Sequence, residues 1–205
     1  MATVSDRAIV LHIRPYRETS VIVSLLSESN GLVRGVLKGY RGGKGARKKA
    51  SLQDISLTNI SFMGRSELKT LTMLEPIRQY RIKSAQLSYS LLLVELCYKL
   101  LPVGQEETML FHLLDESLCA LGDDQKSPDE VVINFIIRFL DEQGYDLFSD
   151  DASDDIFHER KEQGGQIMPN RQVLASLQKE LHRCFPSRTI HSFKYLTRTV
   201  HEARR

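Results

Sequence analysis

The hydrophobic pattern of this chain changes period at Pro76, and no other feature constrains the fold as strongly. Ahead of it, apolar residues fall in short runs with period 2, the spacing that puts alternate side chains on one face of a strand. Behind it they recur every three or four residues, the spacing of a helix face. A chain built this way is α+β, a small β domain followed by an all-helical one. We place the domains at residues 1–78 and 79–205.

Five runs divide the first part. Residues 8–13 are apolar and closed by Pro15. Residues 19–26 follow and lead into Glu28-Ser29-Asn30-Gly31, where Asn-Gly is a strong turn signal. Residues 32–38 alternate, with Leu32, Arg34, Val36 and Lys38 on one face and Val33, Gly35 and Leu37 on the other. In residues 52–62, Ile55 and Leu57 share one parity while Ile60 and Phe62 have the opposite one. One extra residue flips every later side chain, so this predicts a bulge near Thr58-Asn59. Gly64 then turns the chain into residues 67–74. Five short strands, one of them bent, with a glycine-rich excursion, suit a Greek-key barrel of the OB kind. An SH3-like barrel gives much the same pattern, and period does not separate the two.

Beyond Pro76, Ile82, Ala85, Tyr89, Leu92, Leu93, Leu96 and Leu100 mark one helical stripe ended by Pro102, and Met109 to Leu121 carry a second closed by Gly122. The third start is the clearest. Ser127-Pro128-Asp129-Glu130 offers an N-cap serine, a proline at the first helical position and a glutamate at the capping-box position. This helix buries Val132, Phe135, Ile136, Phe139 and Leu140, and Gly144 stops it. Residues 146–170 are polar and acidic and read as a long loop. A helix resumes over residues 171–184, and another is expected over residues 187–203 despite its β-branched side chains.

The net charge of +2 hides a division of sign. Residues 1–80 carry 13 Lys/Arg against 6 Asp/Glu, and the remainder is net acidic. Positive charge gathered in one half points to a polyanionic partner. It is densest from Gly31 to Ala50, where Arg34, Lys38, Arg41, Lys44, Arg47, Lys48 and Lys49 occur without an acid between Glu28 and Asp54. Glycines punctuate this run, which makes it a loop able to follow a phosphate backbone with salt-sensitive affinity. Tyr40 is the one aromatic inside it and the one residue placed to stack on a base. Grip on the backbone should therefore outweigh reading of bases.

Other functions find little support in the residues. Asp150, Asp151, Asp154 and Asp155 lack the glycine and the twelfth-position glutamate of a calcium loop. His182 and Cys184, taken with His158 or His191, do not have zinc-ligand spacing. Gly42-Gly43-Lys44 lacks the first glycine and the Lys-Ser/Thr pair of a P-loop. No nucleophile motif occurs, so no catalytic residue, metal or cofactor is expected. Cys97, Cys119 and Cys184 are an odd set without a CxxC pair, read as buried thiols of a reducing compartment. No window has the roughly 18 apolar residues of a membrane span, and the N-terminus has no apolar core of a secretory signal. A cytoplasmic protein is expected.

Several motifs resemble those of bacterial RecO proteins, the recombination mediator family. They are Ala8-Ile9-Val10-Leu11-His12-Ile13-Arg14-Pro15-Tyr16-Arg17-Glu18-Thr19-Ser20; Gly31-Leu32-Val33-Arg34-Gly35-Val36-Leu37-Lys38-Gly39-Tyr40-Arg41; and Gly64-Arg65-Ser66-Glu67-Leu68-Lys69-Thr70-Leu71 with Glu75. The series continues through Tyr89 to Leu96, Leu100-Leu101-Pro102, Leu110-Phe111 and Gly144-Tyr145. The resemblance implies an OB-fold, a helical domain, binding of single- and double-stranded DNA, annealing of complementary strands and help in loading RecA. It implies RecR and the acidic-hydrophobic C-terminal tail of the single-stranded-DNA-binding protein as partners, and a nucleoid-associated location. Arg14 and Arg17 of the first motif then join Arg34, Lys38, Tyr40, Arg41, Lys44, Arg47, Lys48 and Lys49 as DNA-binding candidates. A site for the tail should pair an apolar groove with a cation, and Arg138 beside Phe135 and Phe139 is the candidate. Many family members carry a four-cysteine zinc module where this chain has the cysteine-free residues 146–165, so no zinc module is expected. The charge pattern alone equally permits an RNA-binding or ribosome-associated OB protein.

Overall fold

A computed structural model describes residues 3–40, 54–123, 126–145, 147 and 171–196. The chain folds as two compact units, one of Met1–Arg81 with Val94–Glu116, the other of Ile82–Leu93 with Ser117–Arg205.

In the first unit, β1 (Val4–Tyr16), β2 (Ser20–Ser27), β3 (Gly31–Leu37), β4 (Ser56–Met63) and β5 (Leu68–Gln79) close a barrel in the order β1-β2-β3-β5-β4. Every pairing is antiparallel except β3 with β5, a parallel seam running from Arg34↔Leu68 to Val36↔Thr70. This is the five-stranded OB-like barrel the sequence pointed to, followed by helices. Val10, Val23, Leu25, Ile60, Phe62 and Leu71 fill its interior, each burial contributing about 1.5–3 kcal/mol. β1 and β5 run further than expected because neither Pro15 nor Pro76 ends its strand. Pro15 stands near the strand end and Pro76 beside a register shift, positions where a missing N–H costs the ladder little.

The bulge expected in β4 is not there. β4 pairs with β1 in unbroken register from Val4↔Phe62 to Ile9↔Leu57. The extra residues lie across the other ladder, in β5, where Thr72 and Ile77 are skipped. The parity change along β4 arises because both of its faces are buried: Ile60 and Phe62 face the interior, while Leu57, opposite Ile9, is buried on the outer side. Part of the outer surface is covered by the unit's own segment Val94–Glu116. There the Gly104 amide donates to the Leu32 carbonyl at 3.0 Å and Val103 forms an isolated bridge with Leu32.

A carboxylate network fixes the turn between β2 and β3. Asp6 accepts hydrogen bonds from the Ser27 hydroxyl, the Ser29 amide (2.9 Å) and the Asn30 side-chain amide (2.9 Å). Glu28 takes both ends of the Arg7 guanidinium at 2.7 and 2.5 Å. Burial pushes the Asp6 carboxyl up, but the donors together outweigh it and leave it below its ordinary value. The Arg7 hydrogen bonds, against a smaller effect of burial, lower Glu28 as well. A carboxylate lowered on folding contributes stability that is full above its unfolded pKa and is lost as pH falls through the folded one. Thermal unfolding followed by circular dichroism should therefore show a drop in midpoint below about pH 4. Asp6→Asn should lower the neutral-pH stability by about 2 kcal/mol and make the acid drop shallower; an unchanged acid limb would show that this network does not set it.

The helices are α1 (Leu87–Leu100, after a 3-10 turn Ser84–Gln86), α2 (Thr108–Leu121), α3 (Pro128–Glu142) and α4 (Arg171–Cys184). From Val94, α1 belongs to the first unit, as does α2 as far as Glu116. In the second unit α3 packs against α4. Phe135 and Phe139 stack at 6.0 Å, Tyr145 meets Phe185 edge-on at 5.3 Å, and the Tyr145 hydroxyl donates to the Cys184 carbonyl at 3.2 Å. Val173, Leu177 and Leu181 on α4 are buried. Three local expectations are corrected. Ser127 has the extended backbone of an N-cap, but its hydroxyl makes no capping bond; Pro128 and the first-turn acids Asp129 and Glu130 start the helix instead. The last helix shrinks, among the described residues, to a single turn at 193–196, with 187–192 non-helical, as β-branched Thr189 and Ile190 favour. Cys119 is exposed and Cys184 half-buried; only Cys97 is the buried thiol expected. No helix among the described residues is long and apolar enough to cross a membrane.

Candidate nucleic-acid interface

One inserted residue decides where the basic side chains of β1 point. Ala8 and Val10 face the barrel interior, and continued alternation would send His12 and Arg14 inward after them. The register shifts between Val10 and His12, so Leu11 is an extra residue and the parity reverses. Ile13 now packs on the interior cluster and Arg14 is exposed on the outer face. Pairing carries that face across three strands. His12 opposes Ser24, which opposes Arg34; Arg14 opposes Ile22, which opposes Val36. Lys38, exposed, stands in the turn that follows Leu37, just beyond β3. Arg14 and Arg34 thus both point to the outer side of the barrel, with the buried Ser24 and Ile22 of β2 on the same side between their strands.

Arg17 sits in the turn between β1 and β2 with φ of 51°, its guanidinium 5.2 Å from the centre of the Tyr16 ring. Arg34 is engaged by Glu67 at 3.3 Å, with Arg34 partly and Glu67 largely open to water. A pair so exposed contributes at most about 1 kcal/mol and yields readily to a competing anion. Tyr40 is half-buried against the interior cluster, so its ring is a plug at the barrel's end as much as a platform for a base. Burial, and then the charge of Asp54, raises the Tyr40 hydroxyl; burial raises Asp54 itself, with His12 acting the other way. Tyr40 and Asp54 are the described residues on either side of 41–53, and they lie close enough for the charge of one to act on the other. Arg41, Lys44, Arg47, Lys48 and Lys49 lie outside the described residues.

The residues of the second candidate site differ in exposure. Phe135 and Phe139 are wholly buried in the helical core, and Arg138 is exposed on the same helix. At 3.6 residues per turn Arg138 stands about 60° round from Phe135 and about 100° from Phe139, at the edge of the buried face. Among the described residues no group of three or more His, Cys, Asp or Glu side chains is placed to hold a metal. Sequence reasoning missed Arg65 and Lys69, which stand on either side of Glu67 at the start of β5. Both lie in the motif of residues 64–71, but the acid between them hides them from a search for runs of charge.

Comparison with known proteins agrees with this architecture. Residues 1–80 match the model of "Recombination protein O N terminal" and residues 84–199 that of "Recombination protein O C terminal". The chain is 38% identical over 139 residues to the DNA repair protein RecO of Tolumonas auensis, which covers 67% of this chain and 58% of the relative. It is 35% identical over 143 residues to that of Proteus mirabilis, covering 69% and 58%. To that of Syntrophobacter fumaroxidans it is 31% identical over 148 residues, covering 71% and 58%. The matched part is therefore well under two thirds of each relative's length. With both parts of the sequence matched in order, and an OB-like barrel ahead of helices, the chain belongs to the RecO family.

Proposed function

We propose that this chain is a non-enzymatic mediator of DNA repair and recombination whose barrel binds single- and double-stranded DNA. One observation carries the reading: the β1 bulge turns Arg14 to the outer side of the barrel that also bears Arg34, with Lys38 exposed just beyond the end of β3. Residues 41–53, which hold five more cations, leave and re-enter the same barrel at Tyr40 and Asp54. In this reading the protein anneals complementary strands. Two polyanions can approach only if their repulsion is cancelled, and pairing needs the base edges free. A basic surface with few aromatic rings meets both needs. Family membership supports the further roles proposed here: assisting RecA loading together with RecR on strands coated by the single-stranded-DNA-binding protein, in the cytoplasm at the nucleoid. For the acidic tail of that coating protein we keep Arg138 as the cation, while the apolar groove must come from residues other than Phe135 and Phe139.

Salt dependence tests the binding mode. Four to six phosphate contacts on a single strand give a slope of log affinity against log salt of about −3 to −4. The slope should be equal on unstructured strands of different sequence, and affinity should be higher for single-stranded DNA than for RNA run beside it; tighter binding of RNA would favour an RNA-binding protein. A slope near zero, or strong preference among sequences, would sink the annealing mechanism. Annealing rates with and without the coating protein then test the mediator role.

A further inference from the structure

The start of β5 helps to line a solvent-open cavity of about 380 Å³ at the end of the barrel away from Tyr40. Its walls include Val4, Leu32, Phe62 and Val103, and Arg65 and Lys69 stand at its rim. The volume lies near the lower bound of small-ligand sites, roughly 300–1,000 Å³, which suits one planar ring system better than a folded chain. The Lys69 ammonium is tied to the Gly64 carbonyl at 3.2 Å, whereas Arg65 is exposed. Glu67 also lines the cavity, and it is the residue that engages Arg34. The cavity is therefore continuous with the basic outer face. From Arg34 to the end of β3 at Leu37 is about 10 Å of strand, with Lys38 in the turn beyond, and the seam partner Leu68 leads from Arg34 to the rim. A single strand following this line spans only a few nucleotides, within the roughly 4–16 that an OB-fold accommodates.

We propose that this cavity is a base-binding subsite, which receives one unpaired nucleobase of a DNA single strand while the adjoining phosphate rests on Arg65. The proposal builds on the reading that the barrel binds single strands. An apolar wall excludes water from the two faces of a base, and the rim cations supply the charge its phosphate needs, without any donor set that would select one base over another. An acidic peptide would also meet the cations, but it lacks the row of phosphates that Lys38 and Arg34 would continue to engage.

The test compares binding of an oligothymidine strand and a matched strand of abasic sugar-phosphate units, at one salt concentration and across a salt series. Wild-type protein should prefer the base-bearing strand about tenfold. Val4 is 38% exposed on a strand, where a larger side chain does not disturb the core. Val4→Phe should fill the mouth and reduce the preference to less than about twofold, with abasic affinity, salt slope and melting temperature unchanged. Val4→Ile, which leaves the mouth open, should keep the preference. Equal binding of both strands by the wild type, or a preference that survives Val4→Phe, overturns the base subsite while leaving backbone binding intact. No salt-dependent binding of either strand overturns the proposed function and the subsite with it. A preference found on oligouridine RNA but absent on DNA overturns the assignment to DNA.

Discussion

Replacing Arg41, Lys44, Arg47, Lys48 and Lys49 together by alanine should lower single-strand affinity by roughly two to three orders of magnitude at about 0.1 M salt. The size follows from the charge alone. A slope of about 0.7 per phosphate makes each contact worth roughly fivefold at that salt, and about four of the five cations need engage at once. The same change should leave thermal unfolding nearly as it was, because the ladder β1-β2-β3-β5-β4 closes without any of these residues. Fluorescence anisotropy with a labelled strand, paired with a melting curve, separates the two effects. Unchanged affinity with a flattened melt would mean the cations serve the fold. Tyr40→Ala should behave differently: its ring packs on the interior cluster, so part of its cost falls on stability and almost none on the salt slope.

Gly31→Ala should destabilise the first unit by about 4 kcal/mol or more, near the largest single-residue effects seen in proteins. Gly31 has φ of +63°, and a Cβ built there would stand 1.5 Å from the Gln105 carbonyl oxygen. The left-handed backbone costs an alanine only about 1–2 kcal/mol. The larger part comes from moving a backbone segment: with it go the Gly104 to Leu32 hydrogen bond and the Val103 bridge to β3. Gly39→Ala is the control. Its φ is +69°, but a Cβ there meets nothing within 4 Å, so only the conformational cost should remain. Urea unfolding of the two variants should differ by at least about 2 kcal/mol, and equal losses would mean that segment 104–106 yields freely.

The architecture could be read from the sequence because period and turn chemistry agree with each other. Asn30-Gly31 between β2 and β3 and the stripes of α2 and α3 correspond to elements found, and the change of period read at Pro76 falls three residues later, where β5 ends at Gln79. Parity was the less reliable guide. It suggested a bulge in β4, where the true cause is burial on both faces, and it went unread in β1, where residues 8–11 are continuously apolar. A continuous apolar run hides an inserted residue, since alternation is what makes an insertion visible. The site was legible as charge, but not as geometry. That Arg14 and Arg34 share a face depends on the register of three strands, and that Glu67 answers Arg34 depends on a parallel seam joining residues far apart in the chain. At the second candidate site, periodicity puts Phe135 and Phe139 on one stripe but carries no information on how completely the surrounding helices cover it.

The Arg34–Glu67 pair also limits what a salt titration can report. The two side chains together are neutral, so a phosphate that takes Arg34 leaves a carboxylate beside the strand in exchange. Such a contact brings no net positive charge to the polyanion, and few of its condensed cations are set free. Salt dependence counts charge delivered rather than contacts made. A strand seated along β3 touches more of the protein than its slope records, and the difference is held in one surface carboxylate.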